Sequence, residues 1–269
     1  MLRFAFVRSA ALVLSLTVLG VSGAAAQSTT FEPRVGQAGK DVVWVPTPDP
    51  LVETMLDIAG VTADDVVMDL GSGDGKTVIA AARRGARAIG VEFNPDMVRL
   101  SRERAREAGV TARTTFIEGD LFEADLSQAT VITMFLLPDI NLKLRPKILE
   151  LKPGTRIVSN SFTMGDWEED RSERVTENCT SWCTALLWIV PARVDGEWVL
   201  DGQPLVFEQT FQMISGRLGN TPIQGRLNGA EITFTAGDRT FTGTVDGSSI
   251  RGAITGGSGG SFVATRASS

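Results

Sequence analysis

The chain has 269 residues, 43% of them hydrophobic, which is enough for two domains and a sizeable core. Its 32 acidic residues outnumber 26 basic ones, and it contains no histidine and no tyrosine. That composition excludes a Ser-His-Asp hydrolase and a histidine-rich metal centre, and no metal site is expected. It also argues against nucleic acid as a partner, because phosphate contacts demand Lys and Arg. Proton removal near neutral pH falls to a carboxylate, a perturbed lysine or water.

Arg3 and Arg8 precede or enter an apolar run from Ala10 to Val21, followed by Gly23-Ala24-Ala25-Ala26 and Gln27. A basic start, a short hydrophobic centre and small residues at a cleavage site describe a secretory signal peptide over 1–26, with an uncleaved anchor as the alternative. Export, into the periplasm, is the expected localisation, and no stable membrane span is expected after cleavage. Losing two arginines and no acids leaves 24 basic against 32 acidic side chains. Residues 27–45 are polar and Gly/Pro-bearing at their start and are expected to be loose. Val42-Val43-Trp44-Val45-Pro46-Thr47-Pro48 then leads into a helix from Leu51 to Ala59, in which Met55, Ile58 and Ala59 share one face.

Val66 to Lys76 reads as a buried strand, a glycine turn and the start of a helix running from Thr77 to Arg84. Gly71, Gly73 and Gly75 let the backbone take positive φ and pass close to a ligand that a Cβ would push away. The helix that follows turns its free amides and positive end toward the same spot. Ile89-Gly90-Val91-Glu92 ends a second apolar strand in an acid, as sites that hold ribose hydroxyls do. A nucleoside-bearing cofactor is the expectation. The glycines fall as G-x-G-x-G, not as the G-x-G-x-x-G of dinucleotide sites.

Preceded by Asp69, LGSGDG resembles motif I of the class I S-adenosylmethionine-dependent methyltransferases. The resemblance continues through Glu92, Phe116 to Phe122, Ala129 to Pro138 and Leu151 to Ser159, covering roughly Pro46 to Trp167. It implies an α/β fold, a Rossmann-like sheet with helices on both faces, and S-adenosyl-L-methionine as cofactor. It also implies that Asp69, Gly71, Ser72, Gly73 and Gly75 shape the methionine side of the pocket, Glu92 the ribose contact, and Asp120 with Leu121 the adenine contact. Thr47 is either a cofactor contact or part of a rigid Pro turn.

LLPDINLKLRPKILELKPGTRIVS and Gly165-Asp166-Trp167 resemble a group of exported bacterial methyltransferase-like proteins, distantly similar to Dot1-type protein-lysine methyltransferases. That points to an amine acceptor, in a protein or a small molecule. The amino-methylating branches carry Asn or Asp, then Pro-Pro-aromatic, where this chain has Leu-Pro-Asp-Ile-Asn. Asp139 as a base and Asn141 as an orienter are therefore candidates beside a helix-cap role, not motif-based assignments. A noncatalytic exported binding module with the same fold is the leading alternative function. A nicotinamide oxidoreductase is disfavoured by the glycine spacing and the lack of a Tyr or His acid.

Asp96 to Ala108 forms a charged helix with a solvated face. Cys179 and Cys183 form either a disulfide, given export, or two unpaired thiols. Past Trp188 the pattern changes to short alternating runs separated by glycines: Leu186–Val194, Glu197–Leu200, Leu205–Ile214, Ile223–Leu227, Glu231–Thr235, Thr240–Val245, Ser249–Ile254 and Ser261–Thr265. A methyltransferase domain over 46–200 and a small antiparallel β domain over 201–269 are expected. The first of these strands can instead complete the methyltransferase sheet.

Overall fold

The computed structural model describes residues 1–2 and 31–267, so the expected signal segment lies outside the described residues. A seven-stranded sheet is ordered β3-β2-β1-β4-β5-β7-β6, built from β1 (Val66–Leu70), β2 (Arg87–Glu92), β3 (Thr114–Glu118), β4 (Val131–Met134), β5 (Arg156–Asn160), β6 (Arg171–Arg174) and β7 (Thr184–Ile189). The first five strands of that order pair in parallel; β7 runs antiparallel to β5 and to β6. Leu186 to Ile189 thus complete this sheet, as the alternative reading of that segment had it.

Successive strand side chains point to opposite faces, and both faces are apolar. Val67, Ala88, Val131 and Val158 pack with α1 (Asp49–Ile58), α2 (Lys76–Arg83) and α3 (Pro95–Glu107). Met68, Ile89, Ile132 and Ile157 pack on the other side with α4 (Pro138–Ile148), Trp167 and Trp188. The chain runs outward from β1 to β2 and β3, then crosses back to β4 on the far side of β1. That reversal opens a crevice at the carboxyl ends of the strands, where ligands of such sheets bind.

Gly196 to Arg266 form a closed eight-stranded antiparallel barrel: β8 (Gly196–Leu200), β9 (Gln203–Thr210), β10 (Met213–Leu218), β11 (Thr221–Asn228), β12 (Glu231–Ala236), β13 (Arg239–Asp246), β14 (Ser249–Thr255) and β15 (Gly260–Arg266). The boundary expected between residues 200 and 201 falls in the turn of its first hairpin, β8–β9. The expected strand Leu205–Ile214 is two strands, broken at Phe211-Gln212. Its interior is filled: Phe234 stacks on Phe241 at 4.6 Å, with Phe207 and Phe262 edge-on to these rings. Thr233, Thr235, Thr242, Thr244 and Arg251 alternate outward and are exposed, the reverse of the apolar-out pattern of a lipid-facing barrel. Among the described residues no helix is long and apolar enough to cross a membrane.

The barrel docks on the sheet domain through its β9–β10 turn. Phe211, at φ +52°, stacks on Trp167 at 5.7 Å and lies under the Arg145 guanidinium. Buried Gln212 donates to the Glu168 carbonyl at 2.8 Å, and Arg226 pairs with Asp170.

Phe234→Ala removes a fully buried ring from the centre of the barrel and is expected to cost about 3–5 kcal/mol in denaturant unfolding. A loss under about 1 kcal/mol would contradict this packing.

Candidate functional site

The crevice encloses a cavity of about 230 Å³. Asp69 and the glycine turn line it from β1, Val91 and Glu92 from β2, Gly119, Asp120 and Leu121 from the segment after β3, and Met134 to Leu137 from β4 and its exit. Ser72 also lines it, and its hydroxyl is buried without a hydrogen-bond partner among the described residues.

Gly73 has φ +52°, and a Cβ there would lie 2.6 Å from the Trp44 indole nitrogen. Its N–H donates to Glu92 Oε2 at 2.9 Å, and its carbonyl accepts from the buried Ser101 hydroxyl at 3.0 Å. Glu92 Oε1 accepts the Asn94 N–H at 2.9 Å. Two of the roughly four acceptor sites of Glu92 remain for hydroxyls. Asn94 also caps α3, its Oδ1 accepting from Asp96 and Met97 with Pro95 in the first turn.

Gly75 does not line the cavity. A Cβ on it would meet Ser101 and Phe116 at 2.8–2.9 Å, so this glycine lets α2 sit tightly against α3 and β3. Asp139 is exposed in the first turn of α4. Asn141 is fully buried, its amide donating to the Phe162 and Thr163 carbonyls at 3.2 Å. Neither lines the cavity, and neither caps the helix by a side-chain bond. The catalytic and capping roles considered for them find no support in this placement. Asn141 instead fixes the segment that carries Phe162.

The segment expected to be loose is ordered where it matters. Gly36 and Gln37 pair with Trp44 through main-chain bonds of 2.8 and 2.9 Å, and Ala38 bridges Val43. The strap so formed, residues 36–47, walls the cavity. It is tied down at Lys40, which pairs with Asp120 and lies over Phe93, and at Thr47, whose carbonyl accepts from Lys76 at 3.1 Å. Lys40 holds the Asp120 carboxyl below the usual carboxylate range, with the Phe122 N–H adding to the effect. Lys40, Trp44, Phe135, Phe162 and Trp182 escaped the sequence reading. Trp44, two residues before Pro46-Thr47-Pro48, was the available signal.

Asp69 is buried at the end of β1 and accepts from the Thr133 hydroxyl at 2.6 Å. Burial pushes its carboxyl up to about 7; the Thr133 bond pulls the other way, and the charges of Asp74 and Glu92 add to the rise. Asp74 is itself paired with Arg104.

A glycine cradle that a Cβ would fill, an orphaned buried hydroxyl, a buried acid and two acids at neighbouring strand ends fit an adenosyl amino acid: the glycine turn and Asp69 for its amino-acid end, Glu92 and Asp120 for its hydroxyls and base. Comparison with known proteins agrees. The sequence profile of the ANTKMT methyltransferase domain matches residues 69–171. A protein-lysine N-methyltransferase of Saccharolobus islandicus is 47% identical over 129 residues, covering 47% of this chain and 80% of that protein. The chain belongs to the class I S-adenosylmethionine-dependent methyltransferases. The mouse adenine nucleotide translocase lysine N-methyltransferase is 38% identical over 104 residues, 38% of this chain and 45% of that protein, so the match spans under half of that relative. The solved structure of an RNA methyltransferase from Salinibacter ruber with S-adenosyl-L-homocysteine is 49% identical at a TM-score of 0.53, covering 56% of this chain and 96% of that one. The enzyme's cofactor is S-adenosyl-L-methionine.

Two outcomes follow for this methyltransferase. Gly73→Val places a branched side chain where Trp44 lies, and calorimetry is expected to find no S-adenosylhomocysteine binding while the melting transition persists; retained binding would refute the cradle. A ligand ammonium entering the cavity favours ionised Asp69, so affinity should rise roughly tenfold from pH 6 to pH 8 and Asp69→Asn should flatten the dependence. In the ligand-free fold the sign is opposite. The native state keeps a proton that the unfolded chain has released, so stability falls as pH rises from about 4 to about 7.

Proposed function

We propose that the enzyme methylates the side-chain amine of a lysine in a protein, from an exported location. The observation that carries the acceptor is the relative that the chain matches at 47% identity over four-fifths of its length, whose name states lysine in a protein as the acceptor. The mouse relative's name states the same residue type. An excess of acid over base suits a cationic acceptor better than a polyanion. The disulfide between Cys179 and Cys183 supports the exported reading, since such bonds persist in oxidising compartments, as does the leader-like composition of residues 1–26. We also propose, from the segment LLPDINLKLRPKILELKPGTRIVS, a place among exported methyltransferase-like proteins distantly related to Dot1-type enzymes.

The glycine turn, Asp69, Glu92 and Asp120 would hold S-adenosylmethionine, which would supply an electrophilic methyl carbon for the neutral amine's lone pair and a sulfur to take the C–S electron pair. The chain's own task is to hold and to exclude. The glycine turn and the strap fix the cofactor's side of the cavity, and Met134, Leu136 and Ile140 keep it apolar. An apolar wall favours the uncharged amine over its ammonium, with the proton passing to water at the open end. Alignment of donor and acceptor supplies most of the acceleration, so no histidine or tyrosine is needed.

Incubation with methyl-labelled S-adenosylmethionine, a lysine-containing peptide library and total RNA tests the acceptor. Mass increments of one methyl group on lysine, with formation of S-adenosylhomocysteine, are expected. Label confined to RNA, or no turnover with any acceptor, would overturn it in favour of a nucleic-acid enzyme or a noncatalytic module.

A further inference from the structure

Three aromatic rings meet where the cavity reaches the surface. Phe135, leaving β4, stacks on Phe162 with centroids 5.8 Å apart and an interplanar angle of 19°. Trp182 leans on Phe135 at 5.9 Å and 59°. All three line the cavity that the glycine turn and Asp69 floor. Phe135 and Phe162 are half-buried, whereas 47% of Trp182 stays exposed. Burial does not explain an indole in that position.

Backbone conformation adds a second, independent observation. Trp182 has φ +52°, the left-handed region that a bulky side chain rarely adopts. It is the residue before Cys183, inside the five-residue loop closed by the Cys179–Cys183 disulfide. The far end of that loop is pinned: the Cys183 carbonyl accepts the Val175 N–H at 2.8 Å, and Ser161 and Thr184 are joined by main-chain and side-chain bonds of 2.8 and 3.3 Å, beside Phe162. A bulky residue in an unfavourable conformation, inside a covalently closed loop and lining the cavity, points to a role in that cavity.

We propose that the disulfide loop builds the acceptor subsite: Trp182, with Phe135 and Phe162, forms an aromatic wall that receives the stem and charged nitrogen of the acceptor lysine. Resting on the lysine reading above, this assigns acceptor selection to a loop outside the cofactor motifs. Aromatic faces attract ammonium groups, and more strongly the larger methylated ones whose charge is spread over methyl surface. The methylene stem packs on the same rings. Trp182 is a positioning residue: the wall meets the incoming lysine as its ammonium, which gives up its proton to water before the neutral nitrogen moves inward to the methyl carbon while the stem stays on the rings.

The test uses protein saturated with S-adenosylhomocysteine and two small probes, Nα-acetyl-Nε-trimethyllysine methylamide and its neutral isostere with carbon in place of the quaternary nitrogen. Binding is read by NMR titration. Wild type should prefer the cationic probe by about fivefold or more, and Trp182→Ala should abolish that preference. Trp182→Phe should restore part of it. The double variant Cys179→Ser/Cys183→Ser should weaken the cationic probe as Trp182→Ala does, with affinity for S-adenosylhomocysteine within about twofold of wild type. Equal affinity for the two probes in wild type, or a preference unaltered in Trp182→Ala, would overturn the subsite. A preference unaltered in the double serine variant would overturn the part given to the disulfide. Absence of lysine methylation in the acceptor screen above, with the preference for the cationic probe intact, would strike the lysine reading instead, so the two failures are distinguishable.

Discussion

The missing side chain at residue 73 is the constraint around which the site is organised. Only a bare backbone allows the Trp44 indole to approach within the space a Cβ would occupy. Glu92 then takes the N–H and Ser101 the carbonyl of the same residue. Three parts of the chain that are remote in sequence, the strap, the end of β2 and the middle of α3, converge on one residue. Each of those contacts limits where the others can lie, which is how a short turn comes to be held rigidly enough to orient a ligand.

Charge is arranged with equal economy. Asp74 is neutralised by Arg104 and Asp120 by Lys40, while Asp69 has a hydroxyl partner and, among the described residues, no cation. A buried carboxylate without a counter-charge costs free energy, so this position is poised to gain a proton or a cationic ligand group. The barrel solves a separate problem. Its core of phenylalanine rings is independent of the cofactor crevice, and its link to the sheet domain passes through Phe211, Trp167 and Arg145, next to the 162–164 segment that Asn141 and Arg145 hold.

Much of the sheet domain was legible because each strand end carried its own punctuation: an apolar run closing in Asp69, Glu92 or the residues before Asp120, then glycine or Pro. Periodicity alone exposes such elements. The strap was not legible: its local pairing of residues 36–38 with 43–44 carries no alternating apolar pattern, and its anchors, Gly73 and Asp120, lie tens of residues away. Gly75 shows a different limit. A glycine can be required by a ligand or by close packing, and motif spacing does not distinguish Gly73, which faces Trp44, from Gly75, which faces Ser101 and Phe116. The β9–β10 break escaped detection because Phe211 occupies a positive-φ turn position where glycine or asparagine is the usual marker. Asp139 and Asn141 were placed by sequence distance from β4, and the helix rotates one to solvent and the other into the core.

The central claim is that the turn at residues 71–75 and the strap at 36–47 together hold the adenosyl cofactor. Hydrogen–deuterium exchange with and without S-adenosylhomocysteine tests it most directly, because it reports both segments in one experiment without a variant. Slowed exchange in peptides covering the strap and the glycine turn, with the barrel strands unchanged, is the predicted result. Protection located elsewhere, or a strap that exchanges equally fast in both states, would contradict it.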